Sequence, residues 1–185
     1  MAEEEQQPRK AGEYELVGNV PIASGTSCDI WEAIQGNQTW AVKLMIADKL
    51  PEAEERNSLK HEAKVLESLQ HPGFVQYRDA SITKKEAYMV MEYFRAPNLK
   101  SAIKTSRVSV HTQFAKLLEQ VCLALGYMHE NGWVHRDVKP DNILITKAGD
   151  IKLIDFSLTT KFKSGLSAML SGKAAAEAAH AAIKA

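Results

Sequence analysis

Short runs of apolar residues broken by small polar ones dominate the first half of the chain. YELVGNVPIA (14–23), CDIWEAI (28–34) and TWAVKLM (39–45) are rich in Val, Ile, Trp and Tyr, and SGTS and QGNQ separate them. The pattern predicts three antiparallel strands joined by tight turns, with Gly36 and Asn37 supplying the second turn. From Pro51 to Leu69 the period changes. Leu59, Glu62, Ala63, Leu66 and Leu69 fall on one side of a predicted helix whose other positions are mostly charged. Pro51 fits near its first turn, and His71-Pro72-Gly73 ends it. FVQYRDA (74–80) and EAYMVMEYF (86–94) then read as two more strands.

The pattern changes after Pro97. Thr112 to His129 is predicted helical, with Phe114, Leu117, Leu118, Val121, Leu125 and Met128 forming a wide apolar stripe and Asn131-Gly132 ending it. A polar loop, WVHRDVKPDN, leads into two short strands, NILIT and IKLID, joined by a KAGD turn. The fold class is therefore α+β. A five-stranded antiparallel sheet with one helix forms a small lobe over 14–94, and a mainly helical lobe follows over 95–163. Residues 1–13, polar and acidic, are expected to be a disordered lead-in. Residues 164–185, with eight alanines in the last thirteen positions, are expected to form a helical tail.

Composition narrows the function classes. Among 185 residues, 23 Lys+Arg balance 23 Asp+Glu, so no basic excess points to nucleic acid or an anionic membrane. A local anion site stays open. Cys28 and Cys122 are too far apart in sequence for a CxxC pair and too few for a disulfide framework. No signal-like stretch and no run approaching the ~18 apolar residues of a membrane span is present, which leads to an expectation of the reducing cytoplasm.

The candidate chemistry lies in His135-Arg136-Asp137, with Lys139 and Asn142, followed by Asp155-Phe156 after the two short strands. Upstream stand Ala41-Val42-Lys43 at a strand end and Glu62 on the predicted helix. In this order and spacing the chain resembles the eukaryotic-like protein kinase family, in its Ser/Thr branch, from Tyr14 to Phe162. The resemblance implies ATP and Mg²⁺ as cofactors and a protein substrate with a Ser or Thr acceptor. Lys43 would pair with the α/β-phosphates, with Glu62 holding it. Asp137 would orient the incoming hydroxyl, and Lys139 would steady the transferred phosphate. Asn142 and Asp155 would be the oxygen ligands for Mg²⁺. Ala23, Gly25, Ile30, Ala41, Lys43 and Leu144 would enclose the nucleotide, with Met91 behind the adenine and the backbone of Glu92 to Phe94 as the hinge. His135 and Phe156 would stack with Leu66 and Tyr77.

Three departures qualify that resemblance. The family's GxGxxGxV loop reads Ala23-Ser24-Gly25-Thr26-Ser27-Cys28-Asp29-Ile30 and keeps one glycine. DFG reads Asp155-Phe156-Ser157. Neither an APE-like motif nor a peptide-docking platform follows, which predicts an exposed apolar face on the 112–129 helix. That face offers a surface for a partner or a second copy. The alternative reading is an ATP-binding pseudokinase or regulatory module, or a fragment of a longer kinase.

Overall fold

The computed structural model describes residues 9–162, and the lead-in up to Pro8 and the alanine-rich segment lie outside them. The chain divides into two compact units. One is built from the chain up to Ala63 together with Tyr77–Tyr93, the other from Lys64–Gln76 together with the chain from Phe94 onward.

The first unit is an antiparallel sheet. Its strands are β1 (Lys10–Ala11), β2 (Tyr14–Leu16), β3 (Ala23–Ser24), β4 (Cys28–Gln35), β5 (Gln38–Met45), β6 (Tyr77–Ile82) and β7 (Ala87–Glu92). They run in the order β1-β2-β4-β5-β7-β6, with β3 also paired to β4. Gly36-Asn37 closes the β4–β5 hairpin, across which Gln35 pairs with Gln38. The predicted first strand is split, because β2 and β3 pair with different stretches of β4.

The lead-in needs a correction. Lys10–Ala11 form a strand inside the stretch expected to be disordered. Ala11 is fully buried, the Leu16 N–H donates to the Arg9 carbonyl at 2.8 Å, and the Arg9 guanidinium lies 4.8 Å from the Trp31 ring centre. Ala11, Tyr14, Leu16, Trp31, Ala33, Val42, Tyr88 and Val90 make one buried cluster. Because side chains alternate along a strand, Ile30, Ala41 and Lys43 fall on the opposite face from Trp31 and Val42.

Helix α1 (Ala53–Glu67) buries Leu59, Glu62, Ala63, Val65 and Leu66, and carries Glu54 and Glu55 in its first turn, where carboxylates favour the helix dipole. Its last residues belong to the second unit.

The second unit contains α2 (Leu99–Thr112), α3 (Phe114–Glu130), β8 (Trp133–Val134), β9 (Ile143–Ile145), β10 (Ile151–Leu153) and β11 (Thr160–Lys161). β9 pairs with β10 and β8 with β11, both antiparallel. Helix α2 is absent from the pattern-based reading. Its run of Ser, Thr and Val lowers intrinsic propensity. The local signal is Asn98, whose side-chain oxygen accepts the Ser101 N–H at 2.9 Å in a capping arrangement. Helix α3 buries Leu117, Val121, Ala124 and Met128. Phe114, Leu118 and Leu123 are exposed, so the stripe is narrower than predicted and an apolar face is left open.

Gly12 and Gly18 give a matched test of the first unit. Both have left-handed φ, +55° and +78°. A Cβ on Gly12 would lie 2.1 Å from the Tyr88 hydroxyl, whereas one on Gly18 would meet nothing within 4 Å. Gly12→Ala is expected to lower unfolding free energy by about 2–3 kcal/mol and Gly18→Ala by about 1 kcal/mol. Urea titrations giving the two variants equal midpoints would contradict the packing of Tyr88 against this turn.

Candidate functional site

In the first unit the site residues share one sheet face. Ala23 pairs with Ile30, Ile30 with Lys43, and Ala41 with Met91, and cross-strand partners point to the same side. Ala23 and Gly25 are exposed, Ile30 is half-buried, and Ala41 and Met91 are buried. β7 ends at Glu92. Lys43 Nζ donates to Glu62 Oε2 of α1 at 2.7 Å. The Glu62 side chain is only 4% exposed and that of Lys43 18%. Removing one partner of such a pair strands the other's charge, at a cost of about 3–5 kcal/mol.

The loop between β3 and β4 is a tight turn in which the Gly25 N–H donates to the Cys28 carbonyl at 2.9 Å. Gly25 is not in a left-handed conformation. What glycine supplies is clearance, since a Cβ there would sit 3.1 Å from that carbonyl oxygen. Cys28 stands where the family pattern has its third glycine, and its side chain is accommodated by burial. Burial pushes the thiol up to about 11.

In the second unit the polar loop closes around Asp137. Its Oδ2 accepts from Lys139 Nζ at 2.7 Å and from Asn142 Nδ2 at 2.8 Å, and Nδ2 also donates to the Asp137 carbonyl at 2.9 Å. The hydrogen bond from Lys139 to Asp137 holds the ammonium's pKa above its ordinary value. With its nitrogen donating twice, Asn142 keeps its side-chain oxygen as an acceptor, a hard oxygen of the type that divalent cations take. Asn142 is buried, in a 3-10 turn, Pro140–Asn142. In the same turn Asp141 accepts from Lys100 of α2 at 2.9 Å, which lowers the Asp141 pKa.

The β9–β10 hairpin sets Asn142 opposite Ile154, the residue before Asp155. Ile143 pairs with Leu153, and one step beyond, the Ile154 N–H donates to the Asn142 carbonyl at 3.0 Å. Along the chain, Asn142 and Asp155 therefore both adjoin the open end of one hairpin. At its closed end, Gln113 donates to the Lys147 carbonyl, and Lys116 Nζ donates to the Ala148 carbonyl and to Asp150. Gln120 donates to the Gly149 carbonyl and accepts the Ile151 N–H. These contacts, from α3 and from Gln113 just before it, were not legible as function, because Gln and Lys at these positions have no distinctive spacing. Leu144 lies on β9 opposite Lys152, whose ammonium lies 5.8 Å from the centre of the Phe94 ring. The Phe94 carbonyl accepts the Ala96 N–H at 2.8 Å.

Two non-glycine residues among those described have left-handed φ, Arg136 (67°) and Asp155 (65°). Each adjoins a buried ring. His135 and Phe156 lie 5.2 Å apart between centroids, and Phe74 meets Phe156 edge-on at 5.5 Å. Phe74 is missing from the sequence reading, where it is only the first residue of a predicted strand. β6 actually begins at Tyr77. The Asp137 N–H lies 3.3 Å from His135 Nδ1, which marks that nitrogen as acceptor.

A family model described as the protein kinase domain matches residues 17–176. The chain is 36% identical to the serine/threonine-protein kinase shk1/pak1 of Schizosaccharomyces pombe over 149 residues, 80% of this chain and 22% of that protein. It is 32% identical to CBL-interacting protein kinase 12 of Oryza sativa subsp. japonica, again over 80% of this chain and over 27% of the relative. Sperm motility kinase 3A of Mus musculus is 36% identical over 59% of the chain and 22% of its own length. The chain thus spans roughly a quarter of the length of these relatives.

The half-buried imidazole of His71 and the buried one of His135 make stability pH-dependent. Burial, the largest cause in each case, holds His71 and His135 below their ordinary value of 6.5. The unfolded chain therefore takes up protons that the folded chain refuses, and stability falls as pH drops below about 6.5. Protonating His135 would also set an N–H against the Asp137 N–H. Urea midpoints are expected to be level between pH 7 and 8 and to fall from pH 6.5 downward, with a shallower fall in His135→Phe. Identical acid slopes in the two proteins would overturn this assignment.

Proposed function

Because this chain belongs to the protein kinase domain family, we propose that it acts as a Ser/Thr protein kinase, moving the γ-phosphoryl group of ATP to a protein hydroxyl. The observation that carries the reading is Asp137, whose carboxylate is held by Lys139 and Asn142 at 2.7 and 2.8 Å. Asp137 accepts the proton of the incoming hydroxyl, and Lys139 neutralises charge on the group in transfer. Lys43, fixed by Glu62, pairs with the nucleotide's phosphates. Gly25 and its neighbours cover them, and contact with the base is the role of Ala23, Ile30, Ala41 and Met91 in the first unit, of Leu144 in the second, and of the backbone of Glu92 to Phe94.

The donor set fits a divalent cation. Asn142 and Asp155 offer hard oxygens, and hard oxygens are what Mg²⁺ takes. When bound, that ion supplies neutralising charge at the phosphates. The protein substrate is bound without nucleic acid, and the site of action is the cytoplasm. No helix among the described residues is long and apolar enough to cross a membrane. Phe114, Leu118 and Leu123 on α3 support an added association, with a partner or a second copy. That face, with Ala23 and Cys28 in place of loop glycines, also supports a second reading, an ATP-binding regulatory module.

Thermal unfolding and phosphotransfer on the same preparation separate the readings. Mg·ATP is expected to raise the melting temperature of the wild type and to raise that of Lys43→Ala less. Asp137→Ala is expected to keep the shift while losing transfer to a Ser/Thr peptide pool by at least about 100-fold. A shift without any wild-type transfer would support the regulatory module. No shift at all would overturn both.

A further inference from the structure

The residue after Phe156 departs from the kinase pattern, and its hydroxyl has a defined partner. Ser157 Oγ donates to Asp155 Oδ1 at 2.9 Å, and the Ser157 N–H points to the same oxygen at a long 3.5 Å. Glycine at this position would offer only the second, weaker contact. Nor does the backbone need glycine here, because Ser157 is not among the residues with left-handed φ. The serine does not take a left-handed φ, although Asp155, two residues before it, does at 65°.

A carboxylate that can rotate about two bonds loses freedom when a cation fixes it. A hydroxyl bound to one of its oxygens removes much of that freedom in advance. An ionised carboxylate has about four lone-pair sites, so one hydroxyl leaves most of its ligating capacity intact. We propose that Ser157 is a positioning residue for divalent-cation binding, its hydroxyl holding the Asp155 carboxylate in one orientation before the ion arrives. The inference rests on the kinase reading of Asn142 and Asp155. It adds that this chain supplies with a side chain what the glycine pattern leaves to a backbone N–H. Hydrogen bonds of this kind to ligating carboxylates carry about 10–100-fold in metal affinity.

The test uses the full 185-residue chain, saturated with a non-hydrolysable ATP analogue and titrated with Mn²⁺. The electron paramagnetic resonance signal of free Mn²⁺ reports binding without any turnover. Ser157→Ala and Ser157→Gly are expected to weaken Mn²⁺ about 10–100-fold. Ser157→Thr, which keeps a hydroxyl, is expected to retain wild-type affinity. Analogue affinity in EDTA should be equal in all four proteins, since the hydroxyl acts through the carboxylate and not on the nucleotide. Wild-type Mn²⁺ affinity in Ser157→Ala, or a loss in Ser157→Thr equal to that in Ser157→Gly, would overturn the positioning role while leaving the kinase reading intact. A wild type that binds the analogue but no Mn²⁺ would overturn both. If Ser157→Ala lacks a cooperative melting transition, the comparison of glycine with threonine decides.

Discussion

The contact of Phe156 with His135 is the constraint on which the second unit depends. Each ring is almost completely buried, and each is covalently next to a residue in an unfavourable backbone conformation, Asp155 or Arg136. Such conformations cost on the order of 1–3 kcal/mol apiece and persist only where surrounding packing over-determines them. Phe74 completes that packing by its edge-on approach to Phe156. The polar groups of the site are thus aimed by apolar ones. Asp137 and Asp155 take their places because rings beside them cannot move.

The same division of labour appears at the hairpin. Ile143, Ile145, Ile151 and Leu153 turn into the core, which sets the register of β9 on β10. That register places Asn142 and Ile154 one step past the last pair. The closed end is held from outside by Lys116 and Gln120 of α3 and by Gln113, the residue that precedes it. A change in α3 at Gln120 would therefore reach Asn142 through the ladder, with no contact to it.

Much of this was legible in the residues. The 3.6 period of α1 carried Glu62 to its buried side, and β-rich runs around Gly36-Asn37 implied the hairpin that presents Lys43. Asp137, Lys139, Asn142 and Asp155 stood out because their types and spacing are rare together. What escaped was whatever depends on tertiary partners. Helix α2 is capped by Asn98 but poor in propensity along its length. Strand β1 is two residues long and exists because Ala11 and Arg9 find Trp31, Tyr88 and β2. Phe74 reads as any strand aromatic until Phe156 is placed against it. Phe114 and Leu118 count as core in a periodic pattern, yet period alone says nothing about whether a second surface arrives to cover them.

Cys28 has a consequence for how this chain would meet electrophiles. A thiol held near 11 is ionised in about one molecule in ten thousand at neutral pH, and the thiolate is the reactive species. Although it lies in the loop that the nucleotide reading places over the phosphates, it is a poor target for alkylating analogues and for peroxide. Cys122, exposed on α3, is the thiol that such reagents reach first. The chain therefore carries a built-in single attachment point for a spectroscopic label, on the open face of a helix and outside the candidate site.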